Sequence, residues 1–331
     1  MTQEGARSAT DAATGPARRS SSTRSSARHF PSDANAHAHT IVDAVIQAWW
    51  SAYGGSSLEV PLSTVAALAL TVPRDPDGPD LADQILAWPT DKFDAFLRGV
   101  WTMFVRLRPD LWPRVHTLAA WLWSNPSATQ VRAARAVAEA ALRAGQLHLT
   151  GDRDRVCEVD LFGILWQDLS SRGSRAGTGQ FFTPGCVTQL LGRLCPPEEH
   201  SSFHEPAVGT GGIVLGAARA MRELGRDPAT VLWFCCDIDP TVAALCAVNT
   251  HIWGLPRVLV GVGDALLDNW LDRAVAEREM AVKTAQMTTG LNEARSALAL
   301  LGACTPPGTP YAPEAPADNV DRGGTSTPDV A

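Results

Sequence analysis

Glu205-Pro-Ala-Val-Gly-Thr-Gly-Gly212 has the residue types and spacing in this chain best suited to chemistry. An acidic and apolar lead-in runs into glycines and a small hydroxyl residue, and an apolar, helix-like stretch from Ile213 to Ala220 follows at once. A strand that turns on glycines into a helix N-terminus offers bare backbone amides to a ligand. Alone, such a glycine cluster marks any tight turn. Three further stretches narrow it. Gly179-Gln-Phe-Phe-Thr-Pro184 precedes the turn, Phe234-Cys-Cys-Asp-Ile-Asp-Pro240 follows it, and Gly261-Val-Gly-Asp-Ala-Leu266 comes last. Asp237 would end a strand, where a carboxylate can accept both hydroxyls of a ribose. Asp239 reads instead as the N-cap of the next helix. His204 and His251 have no partner at a readable spacing and are assigned to surface or core.

The elements that must position these residues follow from periodicity. Between 201 and 265, short apolar runs alternate with helical stretches in a β-α-β-α-β rhythm, which predicts a parallel sheet. The strands fall near 202–206, 230–236 and 257–261. Upstream, Ile41 to Trp50 and Asp91 to Trp101 carry apolar residues at three- and four-residue spacings, and Ala128 to Leu147 reads as one long Ala-rich helix. Breaks are expected at Pro73 to Pro79, at Arg108-Pro-Asp and at Asn125-Pro. Asp160 to Leu169 is a further amphipathic helix, and Asn269 to about Leu301 is helical. Seven of the eleven tryptophans lie between 49 and 123, at helical spacings that suit a core better than a base-stacking row.

The division expected is a disordered tail over 1–38, a helical domain over 39–150, an α/β domain over 151–302 and a second disordered tail over 303–331. The first 38 residues are rich in Ser, Ala, Thr and Arg, too poor in large apolar residues to offset their chain entropy. The arginines there (7, 18, 19, 24 and 28) read as solvated. At 331 residues, 45% hydrophobic and 19% charged, the remainder is long enough for one or two real cores. A formal charge of −7 argues against attraction to nucleic acid by the overall field. The seven cysteines (157, 186, 195, 235, 236, 246 and 304) form no Cys-x-x-Cys pair, which fits reduced thiols rather than disulfides or a metal site. No membrane span or secretion signal is read, so a cytoplasmic protein is expected.

The four stretches, in this order, resemble the adenine N-6 DNA methyltransferases, in particular the modification subunits of type I restriction-modification systems. That family carries Gly-Gln-Phe-Tyr-Thr-Pro, then Asp-Pro-Ala-Cys-Gly-Thr-Gly-Gly, an acidic strand end and Gly-Asp-Ser/Thr/Ala-Leu. The resemblance covers about 155–268. It implies a partial Rossmann-like methyltransferase sheet preceded by an α-helical domain, with S-adenosylmethionine as cofactor and DNA as partner. On this resemblance the amides around Gly209, Thr210, Gly211 and Gly212 face the amino acid end of the cofactor. Thr183, with Phe182 beside it, closes that end. Asp237 takes the ribose, Ile238 packs on the adenine, and Asp264 accepts from the adenine exocyclic amine. Glu205 stands where the family has Asp and is counted in the cofactor set; Val208 stands where it has Cys. No metal is implied.

One family element has no counterpart here. Members hold the flipped base with Asn/Asp-Pro-Pro-aromatic, whose side-chain and backbone oxygens accept the amine hydrogens while the ring stacks on the base. Asn125-Pro-Ser127 and Thr305-Pro-Pro-Gly308 come nearest, and neither has the aromatic; the catalytic residues are therefore unassigned. Three readings stay open: a methylase-family protein that binds S-adenosylmethionine, a non-catalytic cofactor-binding regulator or interaction subunit, and a truncated methylase remnant. A sheet that stops at its third strand also leaves one edge of the first strand open. The helix over 269–301, the N-terminal helices or a partner subunit would cover it.

Overall fold

The computed structural model describes residues 29–72, 80–174, 183–267 and 269–303, with the main chain alone at 171–174, 294–295 and 297–303. Phe182 and the rest of 175–182 lie outside the described residues, as do 1–28, the break at 73–79 and 304–331.

The helical half comprises α1 (Ala34–Ala52), α2 (Glu59–Ala69), α3 (Leu81–Leu86), α4 (Thr90–Leu107), α5 (Trp112–Ala119), α6 (Ala128–Arg143) and α7 (Gln146–Thr150). Every residue of α2 from Val60 to Ala69 is buried, so this helix forms the centre of the bundle. Two buried polar side chains bond here: Trp121 Nε1 donates to Ser63 Oγ at 2.6 Å, and Gln146 Nε2 donates to the Val65 carbonyl at 2.8 Å. α4 turns Phe93, Leu97, Trp101 and Phe104 inward at helical spacing. Trp49 and Trp101 are fully enclosed and Trp121 nearly so, as the core reading requires, whereas Trp112 and Trp123 are exposed.

Two boundaries differ from the sequence reading. α1 begins at Ala34, inside the stretch read as tail, because Asp33 caps it by accepting the Ala36 amide at 2.7 Å. The helix expected to run unbroken from Ala128 to Leu147 is two helices. Gly145 breaks it in a left-handed conformation (φ 86°), and a Cβ there would lie 2.6 Å from the ring of Phe30.

The second half comprises α8 (Leu161–Ser174), α9 (Gly185–Leu194), β1 (Ser202–Glu205), α10 (Gly212–Glu223), β2 (Leu232–Asp237), α11 (Pro240–Ile252), β3 (Val258–Val262) and α12 (Trp270–Ala303). The three strands form a parallel sheet in the order β1-β2-β3, with Glu205 opposite Cys235 and Asp237 opposite Val262. The fold class is α/β, a small parallel sheet behind a large helical half. One continuous core runs from α1 through α8, α10 and α11 to β3, so no gap in packing falls at the boundary near 150.

α12 lies on the sheet's second face. Trp270 and Ala274 pack there on Cys236, and Gly261 makes room, since a Cβ would come within 2.5 Å of the Trp270 ring. Ion pairs from Arg114 to Glu277 and from Arg278 to Asp110 tie α12 to the helical half. Among the described residues β1 pairs with β2 alone, and its second edge carries no strand. No helix among them is long and apolar enough to cross a membrane.

Candidate functional site

The carboxyl ends of β1, β2 and β3 converge on the glycine turn. Glu205 ends β1, and the Val208 amide donates to the Cys236 carbonyl at 2.8 Å, which draws the turn over the end of β2. Gly209 (φ 57°) and Gly211 (φ 103°) are both left-handed, and Gly211 caps α10. At Gly211 a Cβ would also come within 2.9 Å of Trp253, so the turn requires glycine twice over. The first amides of α10 have no intrahelical acceptor and face outward with the positive end of the helix dipole.

Asp237 lies directly beneath. Its Oδ2 accepts the Gly209 amide at 2.8 Å and its Oδ1 accepts the Asp239 amide at 2.9 Å. Each carboxylate oxygen has two lone pairs, so acceptor capacity is left for a ligand. Asp239 caps α11, accepting from the Thr241 amide at 2.8 Å. Ile238, between them, is 67% exposed, which leaves its side chain free to cover an apolar ring. Gly263 donates to the Asp237 carbonyl at 3.0 Å and so brings the end of β3 alongside. There Asp264 closes its own turn, accepting the Leu266 amide at 2.9 Å. Burial raises the pKa of Glu205; the Ala207 amide offsets part of that, and the nearby charge of Asp237 adds to it.

Thr183 stands just ahead of α9, which packs on α10. In α9 and α10, Gly192 and Gly216 meet so closely that a Cβ on Gly216 would be 2.3 Å from the Thr188 carbonyl oxygen, and one on Gly192 would be 2.2 Å from Gly216. Gly212 faces the Thr188 side chain less closely, with a Cβ there 3.2 Å from its methyl group. The two helices therefore run in the same direction, and the start of α9 stands roughly one turn beyond the start of α10. Thr183, exposed, lies two residues ahead of Gly185, where the extended Pro184 leads into α9.

The side chain of Thr210 turns inward. It is 2% exposed, and its hydroxyl donates to Asp160, away from the open side of the turn. Only its main-chain amide remains for a ligand, since its carbonyl accepts Asn249 Nδ2 at 2.8 Å. Asp160 was visible in the sequence only as the start of a helix. Its carboxylate also accepts the Gly163 amide and Asn249 Nδ2, each at 2.8 Å. Asp160 keeps some exposure as a residue, yet its carboxyl group is enclosed; burial pushes its pKa up, while Thr210, Gly163 and Asn249 pull it back. His204 is exposed on the sheet's second face, and His251 stacks edge-on with Phe104. A separate groove of about 1610 Å³ lies between α5 and α12 and meets this region only at Pro240 and Val262.

Residues 159–284 match the family described as N-6 DNA Methylase. Among solved structures, the chain is similar to the methyltransferase subunit of a type I restriction-modification system from Streptococcus thermophilus, at 13% identity and a TM-score of 0.41. The similarity covers 70% of this chain and 60% of that one. The matched N-6 DNA methylase stretch contains the glycine turn, all three strands, Asp160, Asp237 and Asp264.

Proposed function

We propose that this chain binds S-adenosylmethionine at the carboxyl ends of β1, β2 and β3 and serves DNA methylation at adenine N-6 within a restriction-modification setting in the cytoplasm. The observation that carries this reading is the pairing of Asp237 with the left-handed glycine turn above it. The residues present fit the cofactor. The Gly209 and Gly211 amides are engaged by Asp237 and the Val208 carbonyl, which leaves those of Thr210 and Gly212 for its carboxylate; Asp237 has lone pairs for the ribose diol, and exposed Ile238 supplies an apolar wall for the adenine. Thr183, Glu205 and Asp264 complete the rim, and Phe182 joins them on the family resemblance. When bound, the cofactor supplies a methyl group activated by its sulfonium. The chain's own residues orient that group and hold it at the strand ends.

Calorimetry with S-adenosylmethionine tests this. Asp237→Ala should weaken binding roughly 10- to 100-fold, the range for losing hydrogen bonds to a charged acceptor. Equal affinity in both proteins would remove the assignment. A second reading has its own observation: the sequence holds no Asn/Asp-Pro-Pro-aromatic element to take the target amine. In that reading the chain is a cofactor-binding subunit, and a partner subunit on the open edge of β1 supplies the missing element. Transfer of a radiolabelled methyl to adenine in unmethylated DNA by this chain alone would eliminate it.

A further inference from the structure

The glycine turn is gripped from its buried side, and the residue that grips it lies 50 positions earlier in the chain. Thr210 sits between the two left-handed hinges, Gly209 and Gly211. Its hydroxyl donates to Asp160 Oδ2, and its carbonyl accepts Asn249 Nδ2 at 2.8 Å. The same Asn249 amide donates to Asp160 Oδ1 at 2.8 Å. Asp160 is itself anchored at the start of α8, where its Oδ1 accepts the Gly163 amide at 2.8 Å and its carbonyl accepts the Ile164 amide at 3.3 Å. Thr210 is thus tied at side chain and main chain to two helices, α8 and α11.

The local sequence is shaped around this tie. A Cβ on Gly163 would lie 2.5 Å from Asp160 Oδ2 and 2.9 Å from Thr210 Oγ1, so only glycine lets the pair close. A carboxylate is the side chain that answers three donors at once, because it accepts and never donates. Glycine hinges are costly to order, since they have the most backbone freedom to lose. A turn with two of them gains most from being fixed before a ligand arrives.

We infer that Asp160 is a positioning residue for the cofactor site: acting through Thr210 and Asn249, it holds the glycine turn in its ligand-ready form without touching the ligand. The inference rests on the S-adenosylmethionine reading above. Asp237 and Asp160 then divide the work, one carboxylate on the ligand side of the turn and one on its buried side.

The test uses the full chain, with S-adenosylmethionine titrated by calorimetry and thermal melts run in parallel. Thr210→Val, which removes the hydroxyl at nearly constant shape, should raise Kd about tenfold, the worth of one charge-assisted hydrogen bond. Thr210→Ser, which keeps the hydroxyl, should stay within about twofold of the parent. Asp160→Ala, which removes the acceptor, should weaken binding at least as much as Thr210→Val, and the double variant should be no weaker than the weaker single one, because both changes break the same bond. If Asp160→Ala does not fold, Gly163→Ala, which wedges the same pair apart, takes its place. Variants that melt earlier yet bind with the parental Kd would overturn the inference, leaving Asp160 with a purely structural role. Parental protein that fails to bind, or Asp237→Ala that binds as tightly as the parent, would instead remove the cofactor reading and this inference with it.

Discussion

One face of the sheet presents Trp233, Cys235, Val258 and Val260 to a core that extends through five or more helices, whereas the other presents Phe234, Cys236, Leu259 and Gly261 to the opening turns of α12 alone. Glu205 and Asp237 point to the first face, where α10 and α11 pack, because side chains alternate along each strand. The glycine turn belongs to that face as well. The candidate site is therefore built on the deeply packed side, where side chains have little room to shift. The second face is a single layer over two strands, and it thins out at exposed His204 on β1.

The contrast can be broken by experiment. Trp233→Ala empties a fully enclosed position on the first face and should cost about 3–5 kcal/mol in urea unfolding. A cost under about 1 kcal/mol would mean that this face is not the stability centre. Trp270→Ala on the second face should cost less, about 2–3 kcal/mol, because its cluster is small. Hydrogen exchange should then speed up along β3 and α12 while α2 stays protected; uniform loss of protection would erase the distinction between the faces.

A smaller effect concerns pH. Burial, reinforced by Asp237, lifts the folded-state pKa of Glu205 above its ordinary value. The folded chain then keeps a proton that the unfolded chain has released, so stability falls as pH rises through the window above the ordinary glutamate range. Glu205→Gln should flatten that part of the melting-temperature profile and raise Tm near neutrality; an unchanged slope would show that Glu205 is not the group responsible. The smallest effect is His204→Ala, expected within about 0.5 kcal/mol of the parent. A larger loss would show that His204, through its ring contacts with Phe234 and Trp270, is part of the packed layer after all.

β2 and β3 were legible in the sequence because buried parallel strands read as short apolar runs, whereas β1, Ser-Phe-His-Glu, was legible from its place ahead of the glycine turn; each observed strand lies within two residues of the expected one. The turn at 205–212 and the acidic end of β2 were legible for a related reason: glycine and aspartate mark local backbone geometry. Asp160 was not, since its bond to Thr210 joins elements that no local pattern connects. Its Asp-x-x-Gly setting reads only as a helix start. Gly145 was missed because an Ala-rich run argues for continuation, and the reason to stop comes from elsewhere. Phe30, inside the stretch read as tail, packs against Gly145 and places its ring beside His37 and His148. The cover on the second face was equally hidden, because nothing in β3 announces that Gly261 is kept small for Trp270.

The meeting of Gly192 with Gly216 has a consequence for inheritance. What each missing Cβ would strike is main chain: the Thr188 carbonyl in one case, and Gly216 with the Ala217 nitrogen in the other. Every amino acid carries those atoms, so no compensating change of a neighbouring side chain can relieve a substitution at either position. In a genetic screen, a lesion at one of these glycines should be repaired by true reversion and not by second-site suppressors. Such paired positions drift least as a lineage diverges, and they hold α9 against the helix that the glycine turn starts.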